Sequence, residues 1–272
     1  MNIETRVPQP VFVRSFGTGP RKVLALHCTI AHSGAWRGLA DQMADEATFI
    51  TPDMLSHGRS PDWDRKGDFQ DRSVEAVAHL LSEPMDVIGH SFGGSVALRL
   101  AVEHPDMVRS LTMIEPVYFA VAQQDDPQQV VDHDAEAAPF IAALETGDDE
   151  LAARMFNRMW SSEDRPRWPD LPESTRAAMT RGVHIVPACR PSLFDDRPGM
   201  LAPGVLDNVA MPTLLLRGSE SHPIIGVVND GLARRMPDAQ SLIVGGAGHL
   251  LPISHPAETA THLRKLFARA LV

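Results

Sequence analysis

The 272-residue chain reads as an α/β fold: a mostly parallel sheet flanked by helices, with an inserted helical cap. Two observations lead there. Short apolar runs of strand character alternate with stretches whose apolar residues recur at helical spacing, the pattern of a parallel sheet covered on both faces. That rhythm stops near residue 118 and resumes near 204 with strands of the same kind. The expected division is a core from 1–117 and 204–272 and a helical cap insertion over 118–203. An independent second domain is disfavoured because the strands resume as if one sheet continued.

In order along the chain, 11–16 is a strand closed by the Gly17–Pro20 turn, and 22–27 (KVLALH) is a short apolar strand with a polar end. Residues 35–46 place Trp36, Leu39, Ala40 and Met43 on one helical face, and 48–51 is a strand ended by Pro52. Val74, Val77, Ala78 and Leu81 form the stripe of a helix over 71–82. A strand at 85–88 enters a tight turn at 89–91, and a helix leaves it from about Phe92 to His104, stopping before Pro105. The next strand lies within 107–114. The middle segment lacks β-rich runs and carries helical patterns such as 149–160. Strands at 213–216 and 241–244 follow, with helices within 223–236 and 256–271.

The turn reads Gly89-His90-Ser91-Phe92-Gly93, a G-x-S-x-G entered from a strand and left by a helix. That context marks a nucleophile elbow: the sharp turn exposes the Ser91 hydroxyl, and side chains at 89 and 93 would clash where strand and helix converge. Of twelve histidines, His249 stands out. It follows a Gly-rich loop after the last strand, downstream of the serine as a general base in this order should be. His79, His104, His184 and His262 read as surface or core residues, and His255 as the start of the final helix.

Four segments together resemble the α/β-hydrolase superfamily of lipases, esterases and dehalogenases: "LALHCTIAHSGAW", "PDMLSHGRSP", "GHSFGG" and "GAGHLLPISHP". They span roughly 20–117 and 210–270. Two departures stand out. Ser56 occupies the place of a usual glycine, and so does Cys28. The resemblance implies a Ser91–His249 pair completed by an acid, but the loop after 213–216 lacks the usual Asp: Ser221 stands three residues after Gly218. Some members carry the acid at the end of the earlier strand, and Glu115 matches that placement, with Glu220 as the alternative. The oxyanion hole is expected from the backbone N–H of Phe92 and, by resemblance, of Thr29. Either the loop keeps φ negative at Cys28 or the hole is altered. Cys28 is a poor nucleophile, with no basic partner in view. His27, Cys28, Met155, Met159 and Trp160 are the expected pocket residues, with Phe92 on the pocket floor.

The implied function is a cofactor-free serine hydrolase acting on a small or medium, largely uncharged ester, lactone or thioester through an acyl-enzyme. A serine at the elbow argues against dehalogenase or epoxide hydrolase chemistry. The alternatives are a carbon–carbon bond hydrolase or perhydrolase with the same triad, or a non-catalytic ligand-binding member of the fold. The partner is a small-molecule substrate; the homo-oligomeric state is left open. Net charge is −10, from 35 acidic and 25 basic residues, which disfavours nucleic-acid and anionic-membrane partners. No apolar run approaches a membrane span, and "MNIETRVPQPVF" has neither the basic nor the apolar region of a leader, so a cytoplasmic protein is expected. The two cysteines, Cys28 and Cys189, read as free thiols. Asp53 and Arg59 read as loop-fixing residues. Asp125, Asp126, Asp132, His133 and Asp134 read as a solvated acidic edge rather than a metal site, their spacing matching none.

Overall fold

A computed structural model describes residues 9–161 and 166–270. The opening eight residues, part of the stretch read above for a leader, lie outside that range. Among the described residues, seven strands form one sheet: β1 (Val13–Phe16), β2 (Arg21–Leu26), β3 (Ala47–Pro52), β4 (Met85–His90), β5 (Val108–Ile114), β6 (Thr213–Gly218) and β7 (Ala239–Val244). Their order is β1-β3-β2-β4-β5-β6-β7. β1 runs antiparallel to β3, and the other pairings are parallel. All six positions of β4 are buried, as a strand covered on both faces requires.

Side-chain alternation divides the core into two layers. Leu24 and Leu26 of β2 pack with Val87, Met113 and Leu215 on one face. Val23 and Ala25 pack with Ile88, Ile114 and Leu216 on the other. Helices α1 (Arg37–Asp41), α2 (Phe69–Ala78) and α3 (Phe92–Glu103) lie between the early strands. The α1 helix is much shorter than its pattern implies. A 3-10 turn at Ser33–Trp36 precedes it, and Ala44 O is taken by the N–H groups of Thr18 and Gly19 at 2.8 and 3.0 Å, which ties the chain beyond it to the β1–β2 turn. The α2 helix starts two residues early because the Asp68 side chain accepts the Asp71 N–H.

Between β5 and β6 come α4 (Ala120–Asp125), α5 (Pro127–Glu145), α6 (Asp149–Met159), α7 (Glu173–Gly182), α8 (Ile185–Ala188) and α9 (Arg190–Leu193). Phe140, Ala143, Ala152, Ala153, Trp168 and Val183 form a small core of their own there. We read this as the cap. Val117 to Ala122 belong to the main core, as do Val130 of α5, Ile185 of α8 and Leu193 of α9, so the separate core is confined to the stretch from Phe140 to Val183. The chain closes with α10 (Pro223–Ala233), α11 (Leu251–Ser254) and α12 (Pro256–Arg269).

Candidate active site

Ser91 sits between β4 and α3 with φ 54° and ψ −118°, a conformation that non-glycine residues rarely adopt. It is pinned there: its N–H donates to Ile114 O at 2.9 Å, and its carbonyl accepts Gly94 N–H at 2.9 Å. The flanking glycines are required by space. A Cβ on Gly89 would lie 2.1 Å from Gly93 O, and one on Gly93 would lie 2.2 Å from Leu26 O. Ser91 and His249 line one cavity of about 360 Å³.

Glu115, fully buried at the end of β5, is the carboxylate that meets the histidine. Its Oε2 accepts His249 Nδ1–H at 3.1 Å. Its Oε1 accepts the Gly218 N–H at 2.6 Å and the Ser221 hydroxyl at 2.5 Å. The residue standing where the familiar Asp is missing therefore donates to the carboxylate reaching in from the neighbouring strand. Pairing of Ile114 with Leu216 brings the two strand ends together. Glu115 also has positive φ (53°), and its N–H donates to Leu216 O at 2.8 Å. Glu220 is exposed on the loop. On its other side His249 is held by the His90 Nε2–H, which donates to His249 O at 2.7 Å, and by the Trp160 ring, 4.3 Å away between centroids.

Two buried histidines brace the loop beside the serine. His27 Nε2 accepts the Met54 N–H at 2.9 Å, so its Nδ1–H donates to Cys28 O at 2.7 Å. His57 Nε2 accepts the Ile30 N–H at 2.9 Å, and its Nδ1–H donates to Leu55 O at 2.8 Å. Each loop thus supplies a histidine to the other. The His57 bond holds Ile30 at φ 54°, a strained value for a β-branched residue. Cys28 is absent from the positive-φ residues, so the loop accommodates it without a glycine. Ser56 does take the left-handed conformation of the glycine it replaces, at φ 64°. Asp53 fixes this region, accepting the Ser33 and Arg59 N–H groups at 2.6 and 2.8 Å.

Burial lowers His27 from 6.5 to about 4 and His57 from 6.5 to about 3. Both rings must stay neutral for Nε2 to accept. The unfolded chain binds these protons first, so their contribution is complete above about 6.5 and is lost as pH falls toward 4 and then 3. The melting temperature should therefore drop between pH 7 and 4.5. Calorimetry of His27→Gln should show a shallower decline over the same range.

Burial also pushes the Cys28 thiol up to about 12, which leaves it protonated and a poor nucleophile. Cys28 and Cys189 are both free.

Of the expected pocket residues, Trp160 and Cys28 line the cavity that holds Ser91 and His249. Three other expectations need correction. His27 is completely buried behind the loop and is absent from the cavity wall. Met155 packs against the cap's own core. Met159 lines a separate cavity of about 560 Å³ in the cap. From α6, Phe156 and Asn157 line the cavity that Ser91 opens on, and Trp160 joins them just past the helix end; the helical spacing is visible in sequence but its phase is not. Sequence reasoning also missed Ile30, Met179 and Ile253 on the same wall. The acidic stretch in α4 and α5 pairs with arginines, Asp125 with Arg234 and Arg235 and Asp134 with Arg190. No cluster suited to a metal ion occurs among the described residues.

A family model described as "Alpha/beta hydrolase family" matches residues 23–262. Lipase LipV of Mycobacterium tuberculosis is 29% identical over 262 residues, covering 93% of this chain and 95% of that protein. The pimeloyl-acyl-carrier-protein methyl ester esterase of Nitrosomonas europaea is 26% identical over 252 residues, covering 91% and 96%. Among solved structures, a thermophilic esterase from Thermogutta terrifontis superposes with a TM-score of 0.72 at 21% identity, covering 96% of this chain and 94% of that one, a likeness of fold.

Proposed function

The chain belongs to the α/β hydrolase family and is a hydrolase, and from that premise we propose that it is a serine esterase for small or medium, largely uncharged substrates. The observation that carries this reading is the relay from Glu115 to His249, with His249 and Ser91 opening on the same cavity. The named activities of LipV and the methyl ester esterase support ester over other acyl compounds. The cavity walls are mostly apolar, Ile30, Phe156, Leu171, Met179 and Ile253 among them, which suits an uncharged substrate.

In this mechanism Ser91 Oγ attacks the ester carbonyl while His249 Nε2 takes its proton. Glu115 keeps Nδ1 protonated and stabilises the imidazolium that forms. The N–H groups of Phe92 and Thr29 receive the developing oxyanion. As the Oγ–acyl bond forms, the bond to the leaving oxygen breaks, and that oxygen takes the proton from His249. Water then attacks the acyl-enzyme by the same steps in reverse and releases the acid. No helix among the described residues is long and apolar enough to cross a membrane. We keep the expectation of a cytoplasmic enzyme that requires no cofactor.

A fluorophosphonate probe tests the nucleophile. Stoichiometric labelling, lost in Ser91→Ala, is the expected result. Folded wild-type protein that takes up no probe would refute the proposal. Activity on p-nitrophenyl esters of graded chain length would then define the acyl range.

A further inference from the structure

A second, smaller chamber of about 70 Å³ also meets Ser91, and its wall does not include His249. If Ser91 is the nucleophile, as proposed above, the chemistry assigns the two spaces. The leaving oxygen must receive its proton from His249, so the leaving group belongs in the larger cavity that His249 lines. The acyl remainder then points into the small chamber, past Thr29 and Phe92.

That chamber is walled mainly by aromatic and aliphatic groups, Phe119, Phe194 and Trp160 among them. Set among these is His133 of α5, with ring centroids 4.6 Å from Phe119, 5.7 Å from Phe194 and 5.8 Å from Trp160. It is 7% exposed, and its Nδ1 is buried without a hydrogen-bond partner. Asp134 Oδ1 stands 3.6 Å away, beyond hydrogen-bonding range, and both Asp134 oxygens are held by Arg190 at 3.0 and 2.8 Å. His222 lies edge-on at 5.9 Å and faces Glu136. Two other cap groups of this wall can donate: the Cys189 thiol, which is committed to Ile185 O at 3.2 Å, and the Trp160 indole N–H, which can donate but not accept. Burial lowers His133 to about 4, so at neutral pH the ring is uncharged, with one donor and one acceptor. An imidazole left with a buried, unpaired nitrogen costs stability unless a ligand answers it.

We infer that His133 is a specificity-determining residue, and that the inner chamber takes a short acyl group bearing a hydroxyl or oxo oxygen, which the His133 ring engages. A space of about 70 Å³ suits a short acyl group. Its aromatic walls suit the carbon skeleton, and the imidazole is the one ring on that wall that offers both a donor and an acceptor. A plain acyl chain of the same length would fill the space but leave the ring unanswered.

The test compares kcat/KM for p-nitrophenyl 3-hydroxybutanoate and 3-oxobutanoate with that for plain butanoate. Wild type should favour at least one oxygenated ester by about tenfold, the scale of one buried hydrogen bond. His133→Phe should remove the preference, and His133→Gln, which keeps a donor and an acceptor, should retain most of it. A wild type that favours plain butanoate would overturn the inference, as would a ratio unchanged in either folded variant. Probe labelling at Ser91 with turnover of none of the three esters would also overturn it while sparing the nucleophile. Absence of labelling would bring down the esterase reading beneath it.

Discussion

Replacing Glu115 with Gln should lower kcat by about 10³–10⁴-fold, by analogy with serine-protease triads in which the acid is made neutral. The geometry explains why so conservative a change is so costly. Glu115 Oε1 already accepts from Gly218 and Ser221, so in Glu115→Gln the carbonyl oxygen belongs there and the amide NH2 turns toward His249. A donor facing Nδ1 forces the proton onto Nε2, and the base can no longer accept from Ser91. Flipping the amide does not help, because it would set the NH2 against the Gly218 N–H. The fold should survive, since the side chain keeps its volume and most of its bonds. Glu220→Gln should stay within about twofold of wild type, because that side chain is exposed. Steady-state kinetics of both variants, with circular dichroism as a fold control, decides the matter. Loss confined to Glu220→Gln would reverse the assignment.

Restoring the missing aspartate alone should damage the enzyme. In Ser221→Asp the carboxyl carbon falls near the place of the present Oγ, 2.5 Å from Glu115 Oε1. Two carboxylates in one buried site cannot both ionise, so one takes a proton and the relay to His249 is disturbed. We expect at least a tenfold drop in kcat at neutral pH and about 3–5 kcal/mol of destabilisation, the scale of an uncompensated buried charge. Glu115→Ala clears the space. The double variant Glu115→Ala/Ser221→Asp should then recover at least tenfold over Glu115→Ala alone, because the new carboxylate can approach Nδ1. A double-mutant cycle in kcat and in melting temperature measures this coupling. Strict additivity would show that Ser221 does not stand where an acid can serve. Ser221→Ala should be milder, costing about 1–3 kcal/mol for one hydrogen bond to a charged group.

The motifs read most directly were those whose physics is local. Gly89 and Gly93 are imposed by close approach within a single strand–turn–helix, so five consecutive residues announce the elbow and place Ser91. Glu115 was legible one step further out, because strand ends at the carboxyl edge of such a sheet gather functional groups. Its second role, as acceptor for Ser221, was not. That depends on β5 and β6 being neighbours, and the chain between them holds the whole cap. The helix over 35–46 was overestimated for a similar reason. Its periodicity was real, but the Thr18 and Gly19 N–H groups claim a carbonyl at its end from outside the segment.

By itself, then, the amino-acid order determined the alternating layers, the strained serine turn, the histidine loop and the strand end from which Glu115 reaches His249. Each follows from sterics or periodicity within a few residues. Only the tertiary structure decided that His27 braces a loop instead of lining the cavity, that Phe156 rather than Met155 lines the cavity of Ser91, and that His133 stands on the wall shared by the small chamber and the larger cavity in the cap. Periodicity defines which residues share a helical face, but not toward what that face is turned. That is decided by packing between segments far apart in the chain.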